Sequence, residues 1–109
     1  MKIIAVTSCP IGMAHTYMAS AALKKAAKKK GVEIKVETQG SMGIRDKISK
    51  KEVEEADVLI LAADIALLEG ARFKNILTYK SSTSKIIKNC DEVIQKALEQ
   101  IENENKTGE

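Results

Sequence analysis

Lys2-Ile3-Ile4-Ala5-Val6-Thr7-Ser8-Cys9-Pro10-Ile11-Gly12-Met13-Ala14-His15-Thr16 is the stretch that decides the fold. Residues 2–7 form an apolar run with β-branched side chains, the pattern of a strand buried on both faces. Cys9-Pro10-Ile11-Gly12 breaks the run, because proline lacks an N–H for a ladder and glycine admits backbone conformations that other residues resist. From Met13 to Lys30 the chain is rich in Ala, Leu, Met and Lys, all good helix formers, and Gly31 supplies the stop. A buried strand that runs through a short break into a long helix opens an alternating β/α chain.

The rest of the sequence continues the alternation. Glu33-Ile34-Lys35-Val36-Glu37-Thr38 alternates as a strand with one polar face, which suits a sheet edge. Gly40-Ser41-Met42-Gly43 reads as a flexible loop. Ser49 followed by Glu52 is a capping-box signal for a short helix over 49–55. Residues 57–63 are a nearly continuous apolar run, as in a central parallel strand. Residues 64–69 read as a loop or helical turn, and Ile76-Leu77-Thr78-Tyr79 as a fourth strand. A last helix is expected over 84–102 with a kink near Asn89, its Val93, Ile94, Ala97, Leu98 and Ile101 at helical spacing. Residues 103–109 read as a frayed polar tail, so one domain over 1–102 is expected. The predicted fold is α/β: a four-stranded parallel sheet, order 2-1-3-4 (the order coming from the resemblance given below), flanked by helices as a Rossmann-like three-layer sandwich.

Composition bounds the function. A chain of 109 residues with 44% hydrophobic and 30% charged residues is of globular type, and long enough to bury a core. Phe73, Tyr17 and Tyr79 are its only aromatics and its net charge is +3, which argues against a nucleic-acid surface built on stacking platforms and a strong basic bias. Lys24, Lys25, Lys28, Lys29 and Lys30 read as the solvated end of a helix, where cations suit the macrodipole; a docking patch for an acidic partner is the alternative. No apolar run approaches the ~20 residues of a membrane span, and the N-terminal run is too short for a signal peptide. Cys9 and Cys90 do not make a disulfide framework, so reduced thiols and a cytoplasmic location are expected. Cys90 reads as a small core residue on a helix.

In a parallel α/β sheet the site lies at the carboxyl ends of the strands. Three segments should meet there: residues 9–16, 39–43 and 64–65. At the strand-to-helix junction several backbone N–H groups lack a helical partner, and with the helix dipole they form an anion cradle. A thiol at its mouth should ionise more readily, and the thiolate is the nucleophilic form. Once phosphorylated, the new dianion would sit where the amides point, so Pro10, Ile11, Gly12, Met13, Ala14, His15 and Thr16 are the candidate phosphate-binding residues around the candidate nucleophile Cys9. Each has a plainer reading: Cys9 as a small buried side chain, His15 as a surface residue, Thr16 as a partner for a backbone group. The joint spacing favours the functional one. Cys9, five residues, then His15 and Thr16 copies the loop of cysteine phosphatases, with His15 where those enzymes place arginine. Arginine offers phosphate a rigid two-pronged fork; histidine offers one donor per nitrogen and a charge set by pH. Such a site should hold a phosphocysteine for a specific acceptor rather than hydrolyse it quickly.

On these residues the sequence resembles the fructose-specific enzyme IIB component of the bacterial phosphoenolpyruvate-dependent sugar phosphotransferase system. The family pattern is close to Cys-Pro-Thr-Gly-Ile-Ala-His-Thr, and this chain reads Cys9-Pro10-Ile11-Gly12-Met13-Ala14-His15-Thr16. Further matches are Val32-Glu33-Ile34-Lys35-Val36-Glu37-Thr38-Gln39-Gly40-Ser41 and the run from Ala56-Asp57-Val58 through Ile60-Leu61-Ala62-Ala63-Asp64-Ile65-Ala66. Ile11 stands where the pattern has threonine, so that position brings no hydroxyl to the loop. The resemblance implies a protein-phosphohistidine–sugar phosphotransferase phosphorylated on Cys9. Its donor would be a phosphohistidine on a IIA protein, and its acceptor a sugar, usually fructose, held by a membrane IIC permease. No metal or nucleotide cofactor is implied, and the membrane would be reached only through the IIC partner.

Two rivals come from other classes. A small cysteine phosphatase or arsenate reductase shares the loop architecture but wants an arginine at position 15 and an aspartic acid nearby, for which Asp64 is the candidate. A non-enzymatic anion-sensing module would use the cradle and need no thiol. A receiver domain is disfavoured, since no acidic pair follows the first strand.

Overall fold

The computed structural model describes residues 2–8, 13–40, 43–63, 70–73 and 76–107; within them, the side chains of 13–17, 40, 63, 70 and 103–107 are not described. Five strands form one sheet: β1 (Lys2–Ser8), β2 (Glu33–Gly40), β3 (Gly43–Arg45), β4 (Val58–Ala63) and β5 (Thr78–Lys80). Three helices, α1 (Met13–Lys30), α2 (Lys50–Glu55) and α3 (Thr83–Thr107), and a 3-10 turn over Gly70–Phe73 complete the described elements. The strand order is β3-β2-β1-β4-β5.

The α/β three-layer architecture is as expected, and the four predicted strands lie in the predicted order. The sheet is nonetheless mixed and five-stranded. Of the segment read as a flexible loop over 40–43, residues 41–42 lie outside the described residues and the two ends are strand: Gly40 pairs with Gly43, Gln39 with Ile44 and Thr38 with Arg45, antiparallel. Gly43 adopts φ +97°, a left-handed conformation that suits glycine at this reversal. The strand expected at the edge is therefore covered along its last three residues.

β1 lies between β2 and β4, parallel to both, with Ser8 opposite Gln39 on one side and Ala63 on the other. Its side chains alternate between two cores. Ile3 and Ala5 pack with Ala19, Leu23, Ala26 and Ala27 of α1 and with Ile86, Val93, Ile94 and Ala97 of α3. Ile4 and Val6 pack with Ile48, Leu59 and Phe73, against which Val53 and Ala56 also lie. Every one of Ile3, Ile4, Ala5 and Val6 is fully buried, as an apolar run covered on both faces requires.

α1 ends in a Schellman cap: Gly31 has φ +69°, its N–H donates to Lys28 O, and Val32 N–H donates to Ala27 O. The five lysines at 24, 25, 28, 29 and 30 are all exposed. The capping box of α2 is present with both reciprocal bonds. α3 is interrupted at Asn89 (φ −143°, ψ 55°), the position expected to kink, and its backbone continues to Thr107, beyond the expected end at 102. Cys90 sits half-buried on α3 against the first core. Among the described residues, no helix is long and apolar enough to cross a membrane.

Candidate functional site

The carboxyl edge of the sheet is where the expected site falls. β1 ends at Ser8 and α1 begins at Met13, so Cys9, Pro10, Ile11 and Gly12 join the central strand to an 18-residue helix. These four residues lie outside the described part of the structure, as do residues 41–42 and 64–69, the latter including the candidate acid Asp64. Met13, Ala14, His15 and Thr16 form the first turn of α1. Their leading backbone N–H groups have no helical carbonyl to meet and mark the positive pole of the helix. α1 has no acidic residue in its first turn and Lys28, Lys29 and Lys30 in its last, so its own side chains leave that pole unneutralised.

Beneath this edge lies a charged network that the sequence reading did not find. Glu37 is completely buried. Arg72 grips it with two parallel bonds, Nη1 to Oε1 at 2.7 Å and Nη2 to Oε2 at 2.9 Å. The Ile48 N–H donates to Oε1 at 2.7 Å, and Gln39 Nε2 donates to Oε2 at 2.7 Å. Arg72 also donates to Ile48 O at 2.6 Å and lies over the Phe73 ring, 4.7 Å from its centroid. Burial pushes the Glu37 carboxyl up, but Arg72, the Ile48 amide and Gln39 outweigh it and hold the group below its ordinary value. The polar face predicted for the second strand is thus exposed at Glu33, partly covered at Lys35 and buried at Glu37. Lys35 reaches Glu52 of α2 at 2.8 Å, and Glu37 reaches Arg72 of the 3-10 turn.

A signal for this existed in Glu37-Thr38-Gln39. Three polar residues close a strand whose neighbour is the central β1, and a carboxylate buried there needs a charged or hydrogen-bonding partner. Nothing local in the sequence names Arg72, 35 residues on, as that partner. Because both terminal nitrogens of Arg72 bond Glu37, its fork is committed to an internal carboxylate.

Gln39 stands at the edge itself, beside Ser8 in register and on the same face of the sheet. Its amide orientation is chemically fixed, since only the NH2 end can face a carboxylate. Thr7 and Ser8 are fully buried, and neither Thr7 Oγ1 nor Ser8 Oγ has a hydrogen-bond partner. A cleft of about 670 Å³ lies elsewhere, between α2 and the 3-10 turn, lined by Lys50, Val53, Asp57, Arg72, Ile76 and Leu77 among others. Its Asp57 and Leu77 precede their strands, which puts it toward the amino edge. Among the described residues no group of His, Cys, Asp and Glu is arranged to hold a metal ion.

Comparison with known proteins agrees with this fold. Residues 4–96 match the family model described as the lactose/cellobiose-specific IIB subunit of the PTS system. The chain is 46% identical to the PTS system fructose-like EIIB component 2 of Escherichia coli (strain K12), over 87% of this chain and 90% of that protein. It is 47% identical to the PTS system fructose-specific EIIB'BC component of Xanthomonas campestris pv. campestris over 89% of this chain, and spans only 17% of that longer protein. A crystal structure of a domain from the fructose-specific IIABC component of Borrelia burgdorferi superimposes with a TM-score of 0.81 at 45% identity, covering 88% of this chain and 91% of that one.

Proposed function

This chain belongs to the fructose-type IIB family of the sugar phosphotransferase system, and on that premise we propose that it carries a phosphoryl group on Cys9 from a IIA phosphohistidine to a sugar bound by a membrane IIC permease. The sugar is fructose or a close relative, as the names of the relatives suggest. The protein works in the cytoplasm and meets the membrane through its IIC partner.

Two in-line displacements make up the reaction. The Cys9 thiolate attacks phosphorus; the S–P bond forms as the P–N bond breaks, and its electron pair returns to the donor imidazole nitrogen. A sugar hydroxyl then attacks the phosphocysteine; the O–P bond forms, the S–P bond breaks, and the thiolate is regenerated while the hydroxyl proton passes to a base or to solvent. The loose transition state asks the protein mainly for positioning and charge stabilisation. Backbone N–H groups from Ile11 to Ala14 and at Thr16 hold the equatorial oxygens, and His15 donates to a phosphoryl oxygen or to the thiolate.

The observation that carries this reading is the junction itself. A central strand buried from Ile3 to Ser8 ends one residue before Cys9, and an 18-residue helix with no acid in its first turn begins four residues after it. The positive pole of such a helix favours both the thiolate and the phosphorylated product. Arg72, its fork engaged by Glu37, does not supply the arginine that a phosphatase reading needs. Mass spectrometry of the chain after exposure to a phosphorylated IIA domain tests the assignment: one phosphoryl group is expected on the peptide containing Cys9. Cys9→Ser should abolish sugar phosphorylation in a reconstituted system, and substantial remaining turnover would remove Cys9 from the mechanism.

A further inference from the structure

A cleft of about 210 Å³ opens between α1 and α3, away from the sheet edge that carries the candidate site. On the α1 side it is lined by Ala22, Lys25, Ala26 and Lys29, whose spacing puts them on one stripe of the helix. On the α3 side it is lined by Lys88, Asn89, Cys90 and Asp91, at the point where Asn89 interrupts the helix with φ −143° and ψ 55°. Lys25 lies about 18 Å along the helix axis from Met13, so the cleft and the β1–α1 junction are separate places.

The charge in this cleft is unbalanced. Lys25, Lys29 and Lys88 are exposed, and among the described residues none of them has an ion-pair or hydrogen-bond partner. Their neighbours do: Lys30 donates to Gln95 at 3.2 Å, and Lys96 holds Glu92 at 3.0 Å. Lys25 and Lys29 stand one turn apart on α1, where like charges repel, and Lys88 adds a third cation from the facing helix. Asp91 is the one acid in the lining, so two positive charges are left over. Ala22 and Ala26 keep the space between the ammonium groups open, and Asn89 brings a side-chain amide with two further donors. The volume is below that of pockets that take drug-sized ligands, so the occupant is a small molecule or a single group.

We propose that this cleft is a second anion site, which binds the dianionic phosphate group of a small molecule (free phosphate or a phosphate monoester) through Lys25, Lys29 and Lys88. A lysine ammonium serves phosphate as a point charge, and a dianion matches the two charges left over. A monoanion of the same shape balances only one of them, and an uncharged sugar balances none. Bound phosphate removes the repulsion between the lysines and ties α1 to the part of α3 that flanks Asn89. The site makes no use of Cys9 and stands whether or not that residue is phosphorylated.

The test uses the full chain carrying Cys9→Ser, in which Cys90 is the only thiol left. Its amide resonances are followed during titration with inorganic phosphate, methyl phosphate or methyl sulfate, the last having the shape of the ester and a single charge. Ionic strength is held constant and the pH kept above the second pKa of phosphate, about 6. Both phosphate probes should shift the amides of Lys25, Lys29 and residues 88–91 saturably, slow the alkylation of Cys90 and raise the melting temperature; methyl sulfate should bind several-fold more weakly. Equal affinity for the two phosphates means that the group alone is held, and tighter methyl phosphate that the ester is preferred; both uphold the site. Lys25→Gln, Lys29→Gln and Lys88→Gln should each weaken binding by about twofold to fivefold, as for exposed charge pairs, and the triple variant by about tenfold or more. Lys51→Gln, on α2, should leave it unchanged. Without phosphate the triple variant should melt at or above the temperature of its parent, because it loses only repulsion. Phosphate held at the β1–α1 junction is read separately, from the amides of residues 13–16. Shifts confined to those residues, affinity untouched by the lysine substitutions, or methyl sulfate binding as tightly as methyl phosphate overturns the proposal and leaves the reading of Cys9 standing.

Discussion

Glu37 and Arg72 meet as a two-pronged ion pair beneath the carboxyl edge of the sheet, at 2.7 and 2.9 Å, with the carboxylate fully buried. The pair ties the second strand to the 3-10 turn and, through the Ile48 amide and carbonyl, to the segment leading into α2. It also fixes Gln39, the residue beside Ser8 in register. One carboxylate thus organises three pieces of chain around the candidate site.

Removing that charge should be costly. Glu37→Gln keeps the volume but leaves Arg72, only 12% exposed, without its counter-ion. Breaking a buried pair from one side costs about 3–5 kcal/mol, so a large fall in the urea midpoint is expected at an unchanged slope. Arg72→Lys should not rescue the site, because a point ammonium cannot span both oxygens. Replacing both partners by methionine should also fall short of native stability, since the Ile48 N–H and Gln39 Nε2 would each lose an acceptor. A Glu37→Gln variant as stable as the native chain would show that the network carries little of the fold.

The same carboxylates set the acid response. Glu37 is held below its ordinary value, and Glu52, bonded by Lys35 and by the Ser49 N–H, is held down to about 2. A depressed folded value contributes stability that is complete above the unfolded value of 4.5 and is lost as pH falls through the folded one. Unfolding free energy measured from pH 6 downward, chosen as about a unit and a half above the ordinary carboxylate value, should therefore decline below about pH 4.5 and go on declining toward pH 2. Glu52→Gln should flatten part of that decline; an identical profile would dissociate Glu52 from it.

Much of this architecture was legible because it is written in local pattern. The run from Ile3 to Val6, the helix formers from Met13, Gly31, the Ser49–Glu52 box and the break at Asn89 each act over one or two turns, where spacing and capping decide structure. What stayed hidden depends on distance. β3 exists because β2 offers an unpaired edge, and three residues around Gly43 carry no strand pattern of their own. Glu37 and Arg72 find each other across 35 residues through the fold, and although the polar end Glu37-Thr38-Gln39 hints at a buried carboxylate, nothing local in the sequence names its partner. At the candidate site the junction of strand and helix follows from the sequence. The orphaned hydroxyls of Thr7 and Ser8 do not, because whether a buried oxygen has a partner is settled only by what packs beside it.

The capping box gives a local test. Ser49 Oγ accepts from Glu52 N–H at 3.2 Å and Glu52 Oε1 accepts from Ser49 N–H at 3.0 Å. α2 has only six residues, too few to hold a helix without caps and packing. Ser49→Ala should cost about 1 kcal/mol and loosen Val53 and Ala56 from the second core, raising hydrogen exchange across α2 while leaving α1 and α3 protected. Uniform loss of protection in all three helices would mean that α2 is not a separately opening unit.

The two cysteines should differ sharply as nucleophiles. Burial, and then the neighbouring Asp91 carboxylate, push the Cys90 thiol up to about 11. At neutral pH it is a neutral thiol on a helix flank, and thiols react through their anion. Cys9 stands where the β1–α1 junction should lower its value instead. Iodoacetamide at pH 7, near the neutral working point of a thiolate nucleophile with a pKa of about 7 or below, should therefore modify Cys9 first and leave Cys90 largely untouched until the pH approaches its raised value. Cys90→Ala should change neither the labelling rate at low reagent nor phosphoryl transfer. His15→Ala should slow transfer without unfolding the domain, and if His15 donates to the thiolate it should also raise the apparent value read from the pH dependence of Cys9 alkylation. Equal labelling of both thiols at neutral pH would mean that the helix pole does not activate Cys9, and the electrostatic basis of the proposed mechanism would fail with it.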